Sequence, residues 1–275
     1  MTQTAISSYA QHLRRDEKSP ATIEKYLRYA RAFTAFLDGS PLTRDAVLSY
    51  KEHIAQTYTA EGANGMISAV NSLLKFLDRS DLRITHLRIQ RRSITPPERE
   101  LLRDELQRLI SSAESGGKNT LALIMQTIFA TGIRVSELQY ITVEAARAGQ
   151  TEVRLKGKIR TVLLTDKLSK RLMRHAKERG IASGPIFLSR DGSPISRRVV
   201  WHWMKSLCKS ARVLPSKVFP HNLRKLFARS FYKQNPNLAE LADVLGHSDI
   251  NTTRIYVATT GSQLRRRLES LELLI

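Results

Sequence analysis

The stretch from Pro220 to Tyr256 combines side chains that can stabilise an anion, move a proton and attack as a nucleophile. It begins P-H-N-L-R-K-L-F-A and ends L-A-D-V-L-G-H-S-D-I-N-T-T-R-I-Y. His221 and Arg224 lie three residues apart at the start of an apolar-periodic run, so a helix would place both on one face. His247 follows the position where a second apolar helix is expected to end.

Helix-start and helix-stop residues divide this stretch into separate elements. Gly246 lies where the second helix should end. Ser248 and Asp249 can cap a further short helix that carries Ile255 and Tyr256. We therefore expect His247 on a turn between two helices, with Tyr256 on the later one.

Another charged position follows an apolar segment further upstream. Residues 120–130 are apolar nearly all round, which predicts a helix in the core. This segment stops at Gly132, and Arg134 follows in the run A-T-G-I-R-V-S-E-L. A charged side chain beside so apolar a segment must be paired or lie in a pocket. Glu137 is its natural partner, and a plain Arg–Glu pair is the alternative to a catalytic role.

A strand pair is expected after this arginine. Val153 and Leu155 alternate, Gly157-Lys158 forms the turn, and the run from Thr161 to Leu164 returns. Lys156 lies at the tip of this hairpin. Turn lysines are usually only solvated, and Lys158 and Arg160 are close enough to compete with Lys156 for any role.

Taken together and in their order along the chain, these motifs resemble those of the tyrosine recombinase (phage integrase) family. The core-binding pattern opens at Ser19-Pro20, so we expect no arm-binding domain before it and favour the compact Xer-like or mobile-element type. The resemblance implies that Glu137 is a supporting acid. It implies the following catalytic residues: Arg134, Lys156, His221, Arg224, His247 and Tyr256.

The chemistry that this resemblance implies makes three demands on the site. Extra negative charge on the phosphate oxygens suits the planar, always charged guanidinium groups of Arg134 and Arg224. A tyrosine nucleophile has a pKa near about 10, so Tyr256 needs a base, and His221 is the candidate. The sequence does not decide between the two histidines. Lys156 would protonate the departing 5′ oxygen.

The charge balance points to a polyanionic partner. The 275 residues carry 45 Lys and Arg against 25 Asp and Glu, a formal charge of +20 spread along the chain. This excess favours nucleic acid over a membrane surface. The single cysteine excludes an internal disulfide framework and fits the cytoplasm, where the protein would be nucleoid-associated.

Several function classes receive no support from the sequence. It contains no apolar leader and no run of about twenty apolar residues that would span a membrane. The seven histidines show no metal-ligand spacing, and His175 and His202 are expected on helix surfaces. No glycine-rich phosphate loop is present. We therefore expect no metal and no cofactor.

The predicted fold is mainly α with a small β-sheet, divided into two domains. Four amphipathic helices in residues 1–90, with Ser19 and Thr43 as the expected N-caps of the second and third, form a bundle that resembles the family's SAM-like core-binding domain. Residues 91–98 form a basic linker with Pro96-Pro97. Residues 99–275 form a mixed α+β catalytic domain, which begins with a helix near Arg99–Ala113 and ends with an amphipathic helix from Ser262.

Basic side chains outside the catalytic motifs are candidates for DNA contacts. Lys25, Arg28 and Arg31 recur at three-residue spacing on the second helix, and Arg91 and Arg92 lie in the linker. A solvated surface is the plain alternative for the helix residues. The helix from Ser262 either folds onto its own core or docks into a neighbouring protomer.

The sequence therefore predicts a site-specific DNA recombinase that cleaves and rejoins duplex DNA through a covalent 3′-phosphotyrosine. Its expected partners are double-stranded DNA with paired recombination sites and three further copies of the chain, forming a homo-tetramer on DNA. A type IB-like topoisomerase and a non-catalytic DNA-binding regulator are the alternatives. The task of the recombinase, whether integration, excision or resolution, is left open.

Overall fold

The computed structural model describes residues 3–89, 99–155, 158–247, 249–256 and 269–270. The chain divides into two compact units, Met1–Arg91 and Arg92–Ile275. Predictions for the following positions lie outside the described residues: Arg91, Arg92, Lys156, Ser248, the linker 91–98 and the helix from Ser262.

The first unit is a bundle whose helix starts follow the predicted caps. Its helices are α1 (Gln3–Arg15), α2 (Pro20–Leu37), α3 (Arg44–Thr57) and α4 (Ala60–Phe76). The Ser19 hydroxyl accepts the Thr22 N–H, with Pro20 at the first helical position. Thr43 caps α3 in the same way by accepting the Ala46 N–H. These two predicted caps are confirmed.

Helix α4 forms the centre of this first core and holds the extended chain that follows it. Asn71 donates to the Ile84 carbonyl at 2.8 Å and accepts the Ile84 N–H at 2.9 Å. Asn64, seven residues earlier on the same helix, makes the same pair of bonds with Leu87, at 3.0 and 2.7 Å. The two asparagines are seven residues apart, so they share one helix face and fix the register of residues 84–87.

The second unit adds eight helices and one hairpin among the described residues. Its first helices are α5 (Arg103–Ser115), α6 (Asn119–Thr131) and α7 (Val143–Ala148). The strands β1 (Gln150–Leu155) and β2 (Lys158–Leu163) follow. The remaining helices are α8 (Asp166–Glu178), α9 (Arg197–Ser206), α10 (Pro220–Gln234), α11 (Leu238–Leu245) and α12 (Ile250–Arg254). The fold is therefore mainly α with a small sheet, as predicted.

Helix α6 lies in the middle of the second core, as its apolar surface predicts. It packs against α5 and α10, with α8 and α9 also in contact. Thr127 and Thr131 are buried within it, and each hydroxyl donates to the carbonyl four residues earlier, at 2.8 and 2.6 Å. The helix ends at Gly132, whose φ of +65° lets the chain turn sharply towards Arg134.

Three details of the second unit differ from the sequence-based expectations. The helix expected from Arg99 begins only at Arg103, where the Glu105 carboxylate accepts the Leu102 N–H at 2.8 Å. Helix α7 was not predicted, although Thr142 caps its start and Gly149 ends it. His175, expected on a helix surface, is only 7% exposed, and its burial lowers its pKa.

Only one face of the β1–β2 hairpin packs against the core. The strands are antiparallel, with Val153 opposite Arg160. Val153 and Val162 are buried, whereas Leu163 is 71% exposed on the other face. Lys158 begins the second strand, so its predicted place in the turn is wrong.

The chain before α5 is bound to α10, the helix that carries His221 and Arg224. Asn222 donates to the Arg99 carbonyl at 2.9 Å. Further along the helix, Arg229 pairs with Glu100 at 2.8 Å and donates to the Leu101 carbonyl at 2.9 Å. These contacts hold α10 at both its first and third turns.

The end of α6 provides a test of packing at a positive φ. A Cβ on Gly132 would overlap the Phe227 ring and lie 3.1 Å from Leu245 Cδ2, whereas Gly180, with φ +68°, has nothing within 4 Å of that position. Both alanine substitutions carry the left-handed cost of about 1–2 kcal/mol. Only Gly132→Ala adds overpacking of about 1–3 kcal/mol. Urea unfolding should therefore show the larger loss of stability for Gly132→Ala, and equal losses would contradict this account.

Candidate active site

The candidate site forms where the C-terminal ends of α6 and α11 meet the N-terminal part of α10. Arg224, on α10, is only 1% exposed. Its guanidinium donates to the Gly132 carbonyl at 2.5 Å and to the Leu245 carbonyl at 2.6 Å. These carbonyls are orphan acceptors at the two helix ends, where the helix dipole is negative.

The charge of Arg224 is thus solvated by dipoles instead of being cancelled by an anion. Within the described part of the chain, two carbonyls and His247 bond to its guanidinium, and its buried Nε has no partner. Burial and then the charge of Arg134 lower the pKa of Arg224 to about 10, so the group stays protonated at neutral pH. A buried cation without a carboxylate partner can accept a substrate anion.

Arg134 is held by Glu137 through both its backbone and its side chain. The Arg134 N–H donates to Glu137 Oε2 at 2.8 Å, and Nη1 donates to Oε1 at 2.9 Å. The Glu137 carboxylate is fully buried, while the Arg134 side chain is 36% exposed. The predicted pair is therefore present, and part of the Arg134 guanidinium still reaches solvent.

Glu137 also pairs with a residue of the hairpin. Arg160 Nη2 lies 2.5 Å from Glu137 Oε2. Burial alone would raise the pKa of Glu137, but the Arg134 N–H and the charges of Arg160 and Arg134 outweigh it and keep the pKa below its usual value. One ionised carboxylate is therefore shared by two guanidinium groups.

The hydrogen bonds of His247 define its tautomer. Arg224 Nη2 lies 2.9 Å from His247 Nε2, and because a guanidinium only donates, Nε2 must accept. His247 Nδ1 lies 2.8 Å from the hydroxyl of Thr253, which is fully buried, so the ring proton is on Nδ1. Burial and then the charges of Arg224 and Arg134 lower the pKa of His247 to about 4.

Tyr256 packs against both histidines of its own chain. Its ring centroid is 5.2 Å from those of His221 and His247. The Tyr256 N–H donates to the Thr253 carbonyl at 2.9 Å, directly after α12, which Asp249 caps as predicted. Thr253 therefore contacts both the imidazole and the tyrosine backbone.

His221 lies in the first turn of α10 and remains exposed to solvent, so its burial is only partial. Partial burial, followed by the charges of Lys225 and Arg224, lowers its pKa to about 4. Both histidines are thus neutral at neutral pH. Among the described residues, none is recorded as bonding a ring nitrogen of His221, whereas both nitrogens of His247 are occupied.

The remaining sequence-based candidates lie elsewhere. Lys156 lies outside the described residues, and Arg160, its possible competitor, has its guanidinium committed to Glu137 and to the Val244 carbonyl. In the first unit, Lys25 and Arg28 flank the Tyr29 ring, at 5.6 and 5.2 Å from its centroid. This arrangement keeps the two cations on one face of α2.

Arg31, the third candidate on α2, lines a groove of the first unit. Arg14 and Lys18 line the same groove. The groove therefore brings three basic residues together, two of which sequence reasoning did not select.

The sequence analysis does not name Thr253, and it names Arg160 only as a competitor of Lys156. Thr253 belongs to the T-T-R-I-Y run, but nothing in that run indicates which threonine faces the histidine. Arg160 lies two residues before the inward-facing Val162 on β2, so the alternation of the strand did place it on the buried face. Because a buried arginine needs a partner, this position on the strand indicates that Arg160 pairs with an acceptor inside the protein.

Comparison with known proteins decides the family. The sequence pattern described as the Phage integrase family matches residues 99–262. The chain belongs to the phage integrase family. That span holds all six residues of the proposed catalytic set.

Relatives in this family cover nearly the whole chain. The tyrosine recombinase XerD of Halalkalibacterium halodurans is 26% identical over 263 residues, covering 88% of this chain and 86% of its own. The tyrosine recombinase XerA of Pyrococcus horikoshii is also 26% identical, covering 98% and 94%. The similarity is therefore not confined to the catalytic motifs.

Solved structures of family members share the fold. A crystal structure of XerA recombinase matches with a TM-score of 0.55 and 26% identity over all of both chains. A lambda integrase dimer bound to a COC′ core site matches with a TM-score of 0.74 and 19% identity, covering 94% of this chain and 96% of that one. The second likeness concerns the fold alone.

The described residues of this integrase-family chain contain neither a metal-binding cluster nor a membrane-spanning helix. No group of three or more His, Cys, Asp or Glu side chains is arranged there to hold a metal ion. None of the helices in that part of the chain is long and apolar enough to cross a membrane.

The low histidine pKa values predict how stability depends on pH. His221 and His247 resist protonation down to about pH 4 in the fold, whereas an unfolded histidine titrates near about 6.5. The unfolded state therefore binds more protons between these values, and stability must fall as pH drops from about 6.5 to about 4. Thermal unfolding of the DNA-free protein should show this fall, with a shallower slope in the double variant His221→Gln, His247→Gln. An unchanged slope would contradict the assignment.

The contact with Thr253 predicts the tautomer of His247. Thr253→Val removes the acceptor for the Nδ1 proton while keeping a similar volume. Only the Arg224 donor at Nε2 then selects the tautomer, so the Nδ1–H form should lose part of its population. Thr253→Ser keeps the hydroxyl and is the matched control. Nitrogen NMR of the His247 ring at neutral pH measures the populations, and the same tautomer in all three proteins would show that Thr253 does not select it.

Proposed function

We propose that this protein is a site-specific DNA recombinase that cleaves and rejoins duplex DNA through a covalent 3′-phosphotyrosine at Tyr256. The observation that carries this proposal is the packing of Tyr256 against both His221 and His247, with His247 bonded to the buried Arg224. A phenol, two neutral imidazoles and an uncancelled cation are what phosphoryl transfer to tyrosine requires. The family membership of the chain supports the same reaction class.

The two arginines would bind the scissile phosphate and stabilise its transition state. Arg224 is buried and pre-oriented by the Gly132 and Leu245 carbonyls, so little reorganisation is needed when charge develops. Arg134 is oriented by Glu137 and still partly exposed. Together they would contact the non-bridging oxygens as the phosphorus becomes five-coordinate.

The proton of Tyr256 would pass to His221. This ring is neutral at neutral pH and lies against the phenol ring, whereas both nitrogens of His247 are engaged. The Tyr256 oxygen attacks phosphorus, the bond from phosphorus to the 5′ oxygen breaks, and that oxygen takes a proton from Lys156. In the reverse step, the 5′ hydroxyl of a partner strand attacks the phosphotyrosine and releases Tyr256.

This cycle conserves the energy of the phosphodiester bond in the enzyme–DNA link. It therefore consumes no ATP, and two guanidinium groups supply the charge stabilisation that a metal ion supplies in other phosphoryl-transfer enzymes. We accordingly propose a reaction that needs no metal and no cofactor.

The proposed substrate is double-stranded DNA with paired recombination sites, bound by a homo-tetramer. The formal charge of +20 supports a polyanionic partner. Similar structures include XerH bound to its difH substrate and a lambda integrase tetramer bound to a Holliday junction. Lys25, Arg28 and Arg31 would contact phosphates from the first unit. The helix expected from Ser262 would dock either onto its own core or into a neighbouring protomer.

The proposed domain roles follow from this assignment. Residues 1–90 would form the core-binding domain, residues 91–98 the linker, and residues 99–275 the catalytic domain. A DNA substrate implies a cytoplasmic, nucleoid-associated protein. Integration, excision and resolution all use this strand-transfer chemistry.

A nicked duplex that traps the covalent intermediate tests the proposal. Inverted repeats flanking the coding region supply the candidate site, and denaturing gels detect DNA linked to protein. The wild-type protein should form the adduct and Tyr256→Phe should form none. Tyr232→Phe, which removes a partly buried phenol from the neighbouring helix α10, is the matched control and should retain the adduct.

The same experiment distinguishes the alternatives. Exchange of flanks between two labelled duplexes identifies a recombinase, whereas relaxation of supercoils without exchange identifies a topoisomerase. An adduct that survives Tyr256→Phe would overturn the choice of nucleophile. Binding to the site without any adduct would favour a regulator and overturn the proposal.

A further inference from the structure

Arg160 connects three segments of the candidate site. It lies on β2, where its side chain is 12% exposed. Nη2 donates to Glu137 Oε2 at 2.5 Å, and Nη1 donates to the Val244 carbonyl at 2.6 Å. One guanidinium therefore links the hairpin to the turn of Arg134 and to the last residues of α11.

The turn that carries His247 is packed on the stem of the same side chain. Gly246 has φ +65°, and a Cβ there would overlap Arg160 Cδ and lie 2.8 Å from its Nε. Glycine at this position therefore allows both the left-handed turn and the close approach of Arg160. The backbone leading to His247 is thus supported by Arg160 on one side.

The charge arrangement around Glu137 gives Arg160 a second effect. Glu137 carries one negative charge and faces two guanidinium groups, so the three side chains together carry a net charge of +1. Without Arg160, the buried carboxylate would face Arg134 alone, and that pair would be neutral. A neutral pair would attract a phosphate less strongly than the present group of three does.

We propose that Arg160 is a positioning residue, which shares the Glu137 carboxylate so that Arg134 keeps a net positive charge for the scissile phosphate. This inference rests on the proposed strand-cleavage function of the site. Arg160 does not touch the substrate in this account, because both its terminal nitrogens are occupied within the protein. It acts through Glu137 on Arg134, and through Val244 and Gly246 on the turn of His247.

Two substitutions separate the charge of Arg160 from its shape. Arg160→Gln keeps an N–H that can bond to the Val244 carbonyl but removes the positive charge. Arg160→Lys keeps the charge but loses the fork that reaches both Glu137 and Val244. If charge sharing dominates, the lysine variant should recover much of the activity that the glutamine variant loses.

The decisive measurement compares two substrates that differ only at the scissile phosphate. One is the nicked duplex described above, and the other carries a methylphosphonate there, in which a methyl group replaces one charged oxygen. On the ordinary phosphate, adduct formation by Arg160→Gln should be slower than wild type by about 10- to 100-fold, the loss that follows removal of a residue that orients a metal ligand. On the uncharged substrate this defect should shrink to within about threefold, because less positive charge is then required.

The controls distinguish a charge effect from a folding defect. Thermal unfolding and binding to the uncleaved site are measured for each variant, and a folded Arg160→Gln protein should bind the site nearly as wild type does. Equal defects of Arg160→Gln on both substrates would mean that the residue only supports the structure, which overturns the inference. Recovery by Arg160→Lys on the ordinary phosphate supports it, and a lysine variant as slow as the glutamine variant counts against it.

Failure of the proposed function has a different signature. If the wild-type protein forms no adduct with the ordinary phosphate, the strand-cleavage proposal fails and this inference fails with it. If the wild-type protein forms the adduct and only the comparison between substrates fails, the function stands and the role of Arg160 alone is rejected.

Discussion

The buried guanidinium of Arg224 is the interaction on which the second unit depends. Its charge is balanced by the carbonyls that end α6 and α11, since a helix C-terminus leaves acceptors that need donors. The same contact joins two helices that are distant in sequence. Among the described residues, Arg224 bonds to carbonyl dipoles and to His247 but to no carboxylate. The site therefore keeps a positive charge at its centre.

Arg134 differs from Arg224 because it is partly exposed and is paired with a carboxylate. Arg134 reaches solvent, where its long side chain would sample many rotamers if it had no partner. The ion pair with the buried Glu137 restricts it to one orientation. A carboxylate alone would cancel the charge that it orients. Arg160 resolves this conflict by adding a second cation to the same carboxylate. Orientation and net charge can then both be kept.

The two imidazoles are neutral partly because several cationic side chains lie close to them. His221 and His247 lie beside arginines that disfavour a further positive charge, and burial acts in the same direction. The neutral rings can accept protons. Thr253 then separates their roles, because its hydroxyl occupies one nitrogen of His247 while Arg224 occupies the other. His221 lies against the phenol of Tyr256.

The sequence by itself determined the helix caps at Ser19 and Thr43, the apolar helix ending at Gly132, and the family. A cap or an apolar period depends on neighbouring residues alone, and the family follows from several short motifs in their order along the chain. Only the tertiary structure decided that His175 is buried, that Arg160 bonds to Glu137 and that Thr253 orients His247. Each of these contacts depends on which distant segments pack together. Histidine, arginine and threonine also occur on solvated surfaces, so the residue type alone does not predict the contact. Long-range packing, not composition, therefore converts separate basic residues into one site.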